Sequence, residues 1–142
     1  METRDKAAAA RQAMERGAAL GELLPEPLEF MVADAAQADA AAMGRPDEIA
    51  FTASATYVCR VGSGAAGAAL EALHTAWRAR GWESSLRRFP DGGGDVVASD
   101  PADGFRYTAV IRRDGASLAL WAESPPYLDA DPEARFRPIR PA

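Results

Sequence analysis

The chain carries one cysteine, Cys59, so no disulfide can close within it and no structural zinc can be held by thiolates alone. No apolar run approaches the roughly 18–20 residues that a membrane-spanning helix requires. The opening METRDKAAAA has charges of both signs and no leucine-rich stretch, which does not fit a signal peptide. A basic surplus is missing as well. The net charge is −5, whereas proteins that bind nucleic acid non-specifically neutralise phosphates with clustered Lys and Arg, so nucleic acid is not an expected partner. As it stands the sequence reads as cytoplasmic; the alternative is an exported or lipid-anchored protein whose signal has been removed.

What is present amounts to one domain. A chain of 142 residues, 48% of them hydrophobic and 26% charged, has ordinary globular composition. At that length a fold buries roughly 68–70% of the surface its unfolded chain exposes, so no staple is needed. The charge is unevenly distributed. From Gly21 to Ala50 seven acids (Glu22, Glu26, Glu29, Asp34, Asp39, Asp47, Glu48) stand against one base, Arg45. The span Trp77 to Arg88 reverses this, with Arg78, Arg80, Arg87 and Arg88 against Glu83. Faces of opposite sign either meet within a fold or dock a partner.

Periodicity divides the chain at residue 49. The first twenty residues are good helix formers with Ala7, Ala10, Met14 and Ala18 along one side, stopped by Gly21, Pro25 and Pro27. Leu28, Met31, Val32, Ala35 and Ala36 restore the i, i+3, i+4 rhythm and predict a second helix over residues 28–43. From Ile49 the odd positions Phe51, Ala53, Ala55, Tyr57 and Cys59 alternate with polar ones, the pattern of a long strand with one wet face. A helix follows over residues 64–80, with Ala66, Leu70, Leu73 and Trp77 on one side. Four short alternating runs separated by DGGGD, DPADG and RDG then predict an antiparallel meander. Beyond Glu123 come Pro125, Pro126, Pro132, Pro138 and Pro141, which predict an extended tail that packs on the body without adding a central strand.

The stretch VGSGAAG places Gly62, Gly64 and Gly67 in the G-x-G-x-x-G spacing that cradles a pyrophosphate at a helix N-terminus. Its context argues otherwise. The preceding strand is amphipathic rather than continuously apolar, and the acid expected about twenty residues on is replaced by Ser84, Ser85, Leu86, Arg87 and Arg88. No bound cofactor is expected. Cys59 and His74 form a nucleophile and base only if they meet, and Cys59 belongs to the apolar set of its strand. Asp91 and Asp95, and Asp100 and Asp103, flank turn residues and offer too few oxygens for calcium, so no metal is expected. The candidate ligand or partner surface comprises Trp82, Arg87, Arg88 and Trp121, large rings and guanidinium groups of the kind that anchor interfaces.

A helix ending in WRARGW at Trp77–Trp82, a hairpin around DGGGDVVASDPADG and a closing strand LALWAESPPY together resemble a group of small actinobacterial proteins, many of them predicted lipoproteins of unknown function. The resemblance covers residues 49–127 and implies an exported, lipid-anchored protein. In that group the closing strand often ends in Ser-Pro-Cys, with a cysteine placed to pair with one in the first long strand. Here Cys59 holds the first position and Pro126 the second, and there is no lipobox, so the chain departs from the pattern at both points.

These readings combine into an α+β domain over residues 1–124, with a Pro-rich tail at 125–142. A helical segment, residues 1–48, precedes an antiparallel sheet of about five strands crossed by one helix, in the order α-α-β-α-β-β-β-β. The expected function is a non-enzymatic binding or protein-interaction module whose partner is another protein. The alternatives are an immunity-type or regulatory partner using the acidic 22–48 segment, and a small enzyme with a pocket between helix and sheet.

Overall fold

The strand that opens at the change of rhythm organises everything else. In the computed structural model, which describes residues 1–139, it is β3 (Ala50–Arg60), and it is paired on both sides. Along one side runs β2 (Leu28–Ala38), antiparallel from Leu28 opposite Cys59 to Ala38 opposite Ala50. Along the other lies β7 (Ser117–Glu123), antiparallel over Ser54–Arg60, followed by β8 (Tyr127–Asp129) at Ala50 and Phe51. The meander β4 (Glu83–Arg88), β5 (Gly94–Ser99), β6 (Arg106–Ile111), β7 extends the sheet away from β3, and β1 (Thr3–Arg4) pairs parallel with β8. No helix among the described residues is long and apolar enough to cross a membrane.

Both helices lie on one face of this sheet. α1 (Lys6–Ala19) packs over β2, β3 and β7, and α2 (Ala66–Ala79) over β4, β5 and β6. The buried positions of α1 are Ala9, Ala10, Ala13 and Gly17, a stripe of small residues rotated from the expected one. α1 packs most on β3, whose buried residues include Ala53 and Ala55, and Gly17 lies against Tyr57, so helix and sheet approach closely. α2 instead fills its space with Leu70, Leu73 and Trp77, all fully buried, each leucine worth roughly 1.5–3 kcal/mol of transfer free energy. Arg16 ties α1 to the β5–β6 turn through an ion pair with Asp103, its guanidinium 5.0 Å from the ring of Phe105.

Four expectations are corrected. Residues 28–43 do not form a second helix: they form β2 and a single 3-10 turn, Ala41–Met43. The reason is a bulge between Phe30 and Val32, which shifts the buried parity from Leu28 and Phe30 to Ala33 and Ala35. That shift imitates helical spacing, and pairing along all of β3 decides the outcome. The element order is accordingly β-α-β-β-α-β-β-β-β-β, with eight strands among the described residues rather than about five. The sheet is mixed rather than wholly antiparallel, through the β1–β8 pair. Lastly, the tail contributes β8, because the stretch between Pro126 and Pro132 is free of proline and keeps every amide for the ladder. Residues 140–142 of the expected tail lie outside the described residues.

Candidate functional site

Since the helices occupy one face, alternation sends every second side chain of the sheet to the other, which no element among the described residues covers. Register fixes the rows on that open face. Thr56, Trp121, Thr108, Val97 and Ser85 stand side by side across β3, β7, β6, β5 and β4. The next row is Val58, Ala119, Val110, Asp95 and Arg87; on the other flank come Ser54, Glu123, Arg106, Ser99 and Glu83. The centre is therefore Trp, Val and Thr, and the charged groups stand at the flanks.

A hollow of about 310 Å³ opens here, with Trp121, Thr108, Val110 and Val97 at its base and Arg87, Asp95, Arg106 and Glu123 around it. Arg87 is clamped. Its Nε donates to Asp95 Oδ1 at 2.9 Å and a terminal nitrogen donates to Oδ2, two parallel bonds that hold the guanidinium plane. Those hydrogen bonds push the Arg87 pKa further up, so the group stays cationic. Toward the opposite end of the same face, beyond Val58, a second hollow of about 330 Å³ is lined by Glu26, Glu29, Arg60, Arg112 and Asp114.

Of the four residues proposed from sequence, the fold brings two together. Arg87 and Trp121 both line the central hollow. Trp82 and Arg88 lie on the helix side. The Trp82 ring is stacked on Tyr107 with centroids 4.7 Å apart and planes 6° from parallel, and Arg80 lies 5.1 Å from it. The guanidinium of Arg88 packs over Gly67 in the first turn of α2. Sequence reasoning missed Val97, Thr108 and Val110. Their signal is the valines at wet-parity positions of strands whose other parity is already apolar.

The catalytic pairing fails on geometry. Cys59 sits on β3 with its thiol donating to the Glu26 carbonyl at 3.4 Å, and burial pushes its pKa up. His74 is bonded through Nδ1 to Ser84 Oγ of β4 at 2.7 Å. β3 and β4 are four strand spacings apart, about 19 Å. The glycine motif also serves structure: the strand before it has antiparallel neighbours, and Gly62 and Gly64 take φ of 93° and 79° to turn the chain into α2. That helix starts after Ala65 with no side-chain cap. Asp91, Asp100 and Asp103 accept backbone N–H bonds within their own turns. Among the described residues no three His, Cys, Asp or Glu side chains gather as metal ligands. The space where α2 meets the sheet is filled by Leu70, Leu73, Trp77, Val96 and Tyr107.

No family model, no curated protein and no solved structure matches the chain.

Proposed function

We propose that the protein is a non-enzymatic interaction module that binds another protein through the open face of its sheet. The observation that carries this reading is the placement of both helices on one side, which leaves the Thr56–Trp121–Thr108–Val97 row uncovered. An aromatic anchor within an apolar centre, flanked by charges of both signs, is the anatomy of a protein–protein contact: a desolvated hot spot and a polar rim. Clamping Arg87 on Asp95 lowers the entropy lost when a partner carboxylate docks there. The resemblance to small envelope proteins points the same way, to an accessory role.

The test is site-specific photo-crosslinking in a lysate of the source organism, with the photoreactive group at position 121 and, as a control, at the exposed Thr75 of α2. A discrete adduct from 121 alone, abolished by Val110→Asp, supports the reading. Equal adducts from both positions, or none from 121, overturn it.

A further inference from the structure

β2 is an edge strand of unusual character. Its inner side is paired along the whole of β3, while on its outer side the one bridge among the described residues joins Ala33 to Ile139, antiparallel. Long unpaired edges recruit other strands, and proteins normally blunt them with Lys, Pro or a bulge. β2 has its bulge, but it has no base and no proline. Its sequence LEFMVADAAQA exposes Glu29, Met31 and Asp34, and acids flank it on both sides. The single base of that region, Arg45, is already paired with Glu48 at 3.0 Å.

Ile139, the residue that touches this edge, belongs to a segment of opposite charge. The segment carrying Ile139 reads Arg135-Phe136-Arg137-Pro138-Ile139; both arginines are exposed, and Phe136 and Ile139 are partly buried against the core. A basic, extended piece of the same chain thus sits on an acidic edge, held by one bridge and two half-buried side chains. A second copy is a poor occupant, because the only charged residues of β2 are Glu29 and Asp34, so a β2–β2 pair brings like charges near one another and gains no ion pair.

We propose that the outer edge of β2 is a docking strand for an extended, Arg-rich segment of a partner protein, and that residues 135–139 occupy it as an internal competitor until that partner arrives. Backbone hydrogen bonds of the added strand supply affinity, and the carboxylates select basic side chains. Glu29 and Asp34 stand on the same open face, opposite Val58 and Ser54, but the pairing edge lies on the far side of β3 from Trp121. Crosslinking at position 121 and peptide pairing along β2 are separate readouts, so either can fail alone.

The experiment uses the full chain and a fluorescein-labelled peptide of alternating arginine and valine, about seven residues long to match the free edge. Ile139→Asp, and separately the pair Arg135→Glu and Arg137→Glu, release the competitor and tighten peptide binding by about tenfold. Adding Glu29→Lys and Asp34→Lys removes binding, a glutamate–valine peptide does not bind, and raising NaCl to about 1 M weakens the complex. Amide exchange slows in residues 28–38 and nowhere else in the sheet. Unchanged affinity in both release variants, or protection outside β2, overturns the proposal. So does dimerisation of the released variants without peptide, which makes a second copy the occupant.

Discussion

Arg87 and Asp95 face each other directly across β4 and β5, and their two parallel hydrogen bonds close a planar clamp on the uncovered side of the sheet. Asp95 is 8% exposed and Arg87 largely free, so the carboxylate is the fixed member and the guanidinium the presented one. A double-mutant cycle with Arg87→Met and Asp95→Asn measures their coupling. It is positive in dilute buffer and shrinks as the Debye length falls from about 10 to about 3 Å between 0.1 and 1 M salt. A coupling indifferent to salt contradicts the clamp.

Gly17 is a point of close approach between α1 and the sheet. A methyl group there would overlap the ring of Tyr57, whose hydroxyl donates to the Met14 carbonyl at 2.7 Å. Propensity alone makes Gly17→Ala stabilising by about 1 kcal/mol. The overlap reverses the sign, and a loss of about 1–3 kcal/mol is expected in urea unfolding. Combining it with Tyr57→Val gives less than the sum of the single losses, because the smaller side chain makes room.

Asp114 closes the β6–β7 turn by accepting from the Ala116 amide at 2.9 Å and from the amide and hydroxyl of Ser117. These bonds hold its pKa below the ordinary carboxylate value. A depressed folded pKa contributes stability that is present above the unfolded value near about 3.9 and lost as pH falls through the lower folded one. Asp114→Asn therefore lowers the melting temperature at pH 7 and flattens its decline below about pH 4. Parallel pH curves for the two proteins contradict this.

Cys59 is fully buried, and burial raises its pKa. Its thiol stays protonated and unreactive in the native state, so an aromatic disulfide reagent labels it at the rate of global opening and accelerates through the urea transition. The sign on the alkaline side follows. The contribution from the neutral thiol is complete below the unfolded value near about 8.5 and is lost as pH rises through the folded one. Fast labelling in native buffer at pH 7 excludes this environment.

How much of the fold can be read in the sequence depends on how uniform the period is. β3 and α2 keep one period from end to end, and their buried faces, Phe51 to Cys59 and Ala66 to Trp77, are legible directly. β2 changes parity at its bulge, and alanine fits either structure, so only its pairing with β3 reveals it as a strand. β1 and β8 are two and three residues long, too short to show a period, and exist because β8 pairs with β3 and β1 with β8. The candidate site was half legible. Consecutive strand residues point to opposite faces, so Arg87 and Arg88 cannot share a site once β4 is a strand, whereas Trp121 is placed by the parity of Leu118 and Leu120. Trp82 gives no such signal, since its stacking on Tyr107 is a contact between distant elements.

The crossover that separates β3 from β7 sets a schedule for the nascent chain. Arg60 ends one strand and Ser117 begins its neighbour, so a ribosome adding about 5–20 residues per second leaves that flank of β3 without its mate for about 3–11 s. During that interval a flank whose only charge is Arg60 is open to the same segment on neighbouring polysomes. The interval closes when synthesis reaches Glu123 and β7 can pair with β3.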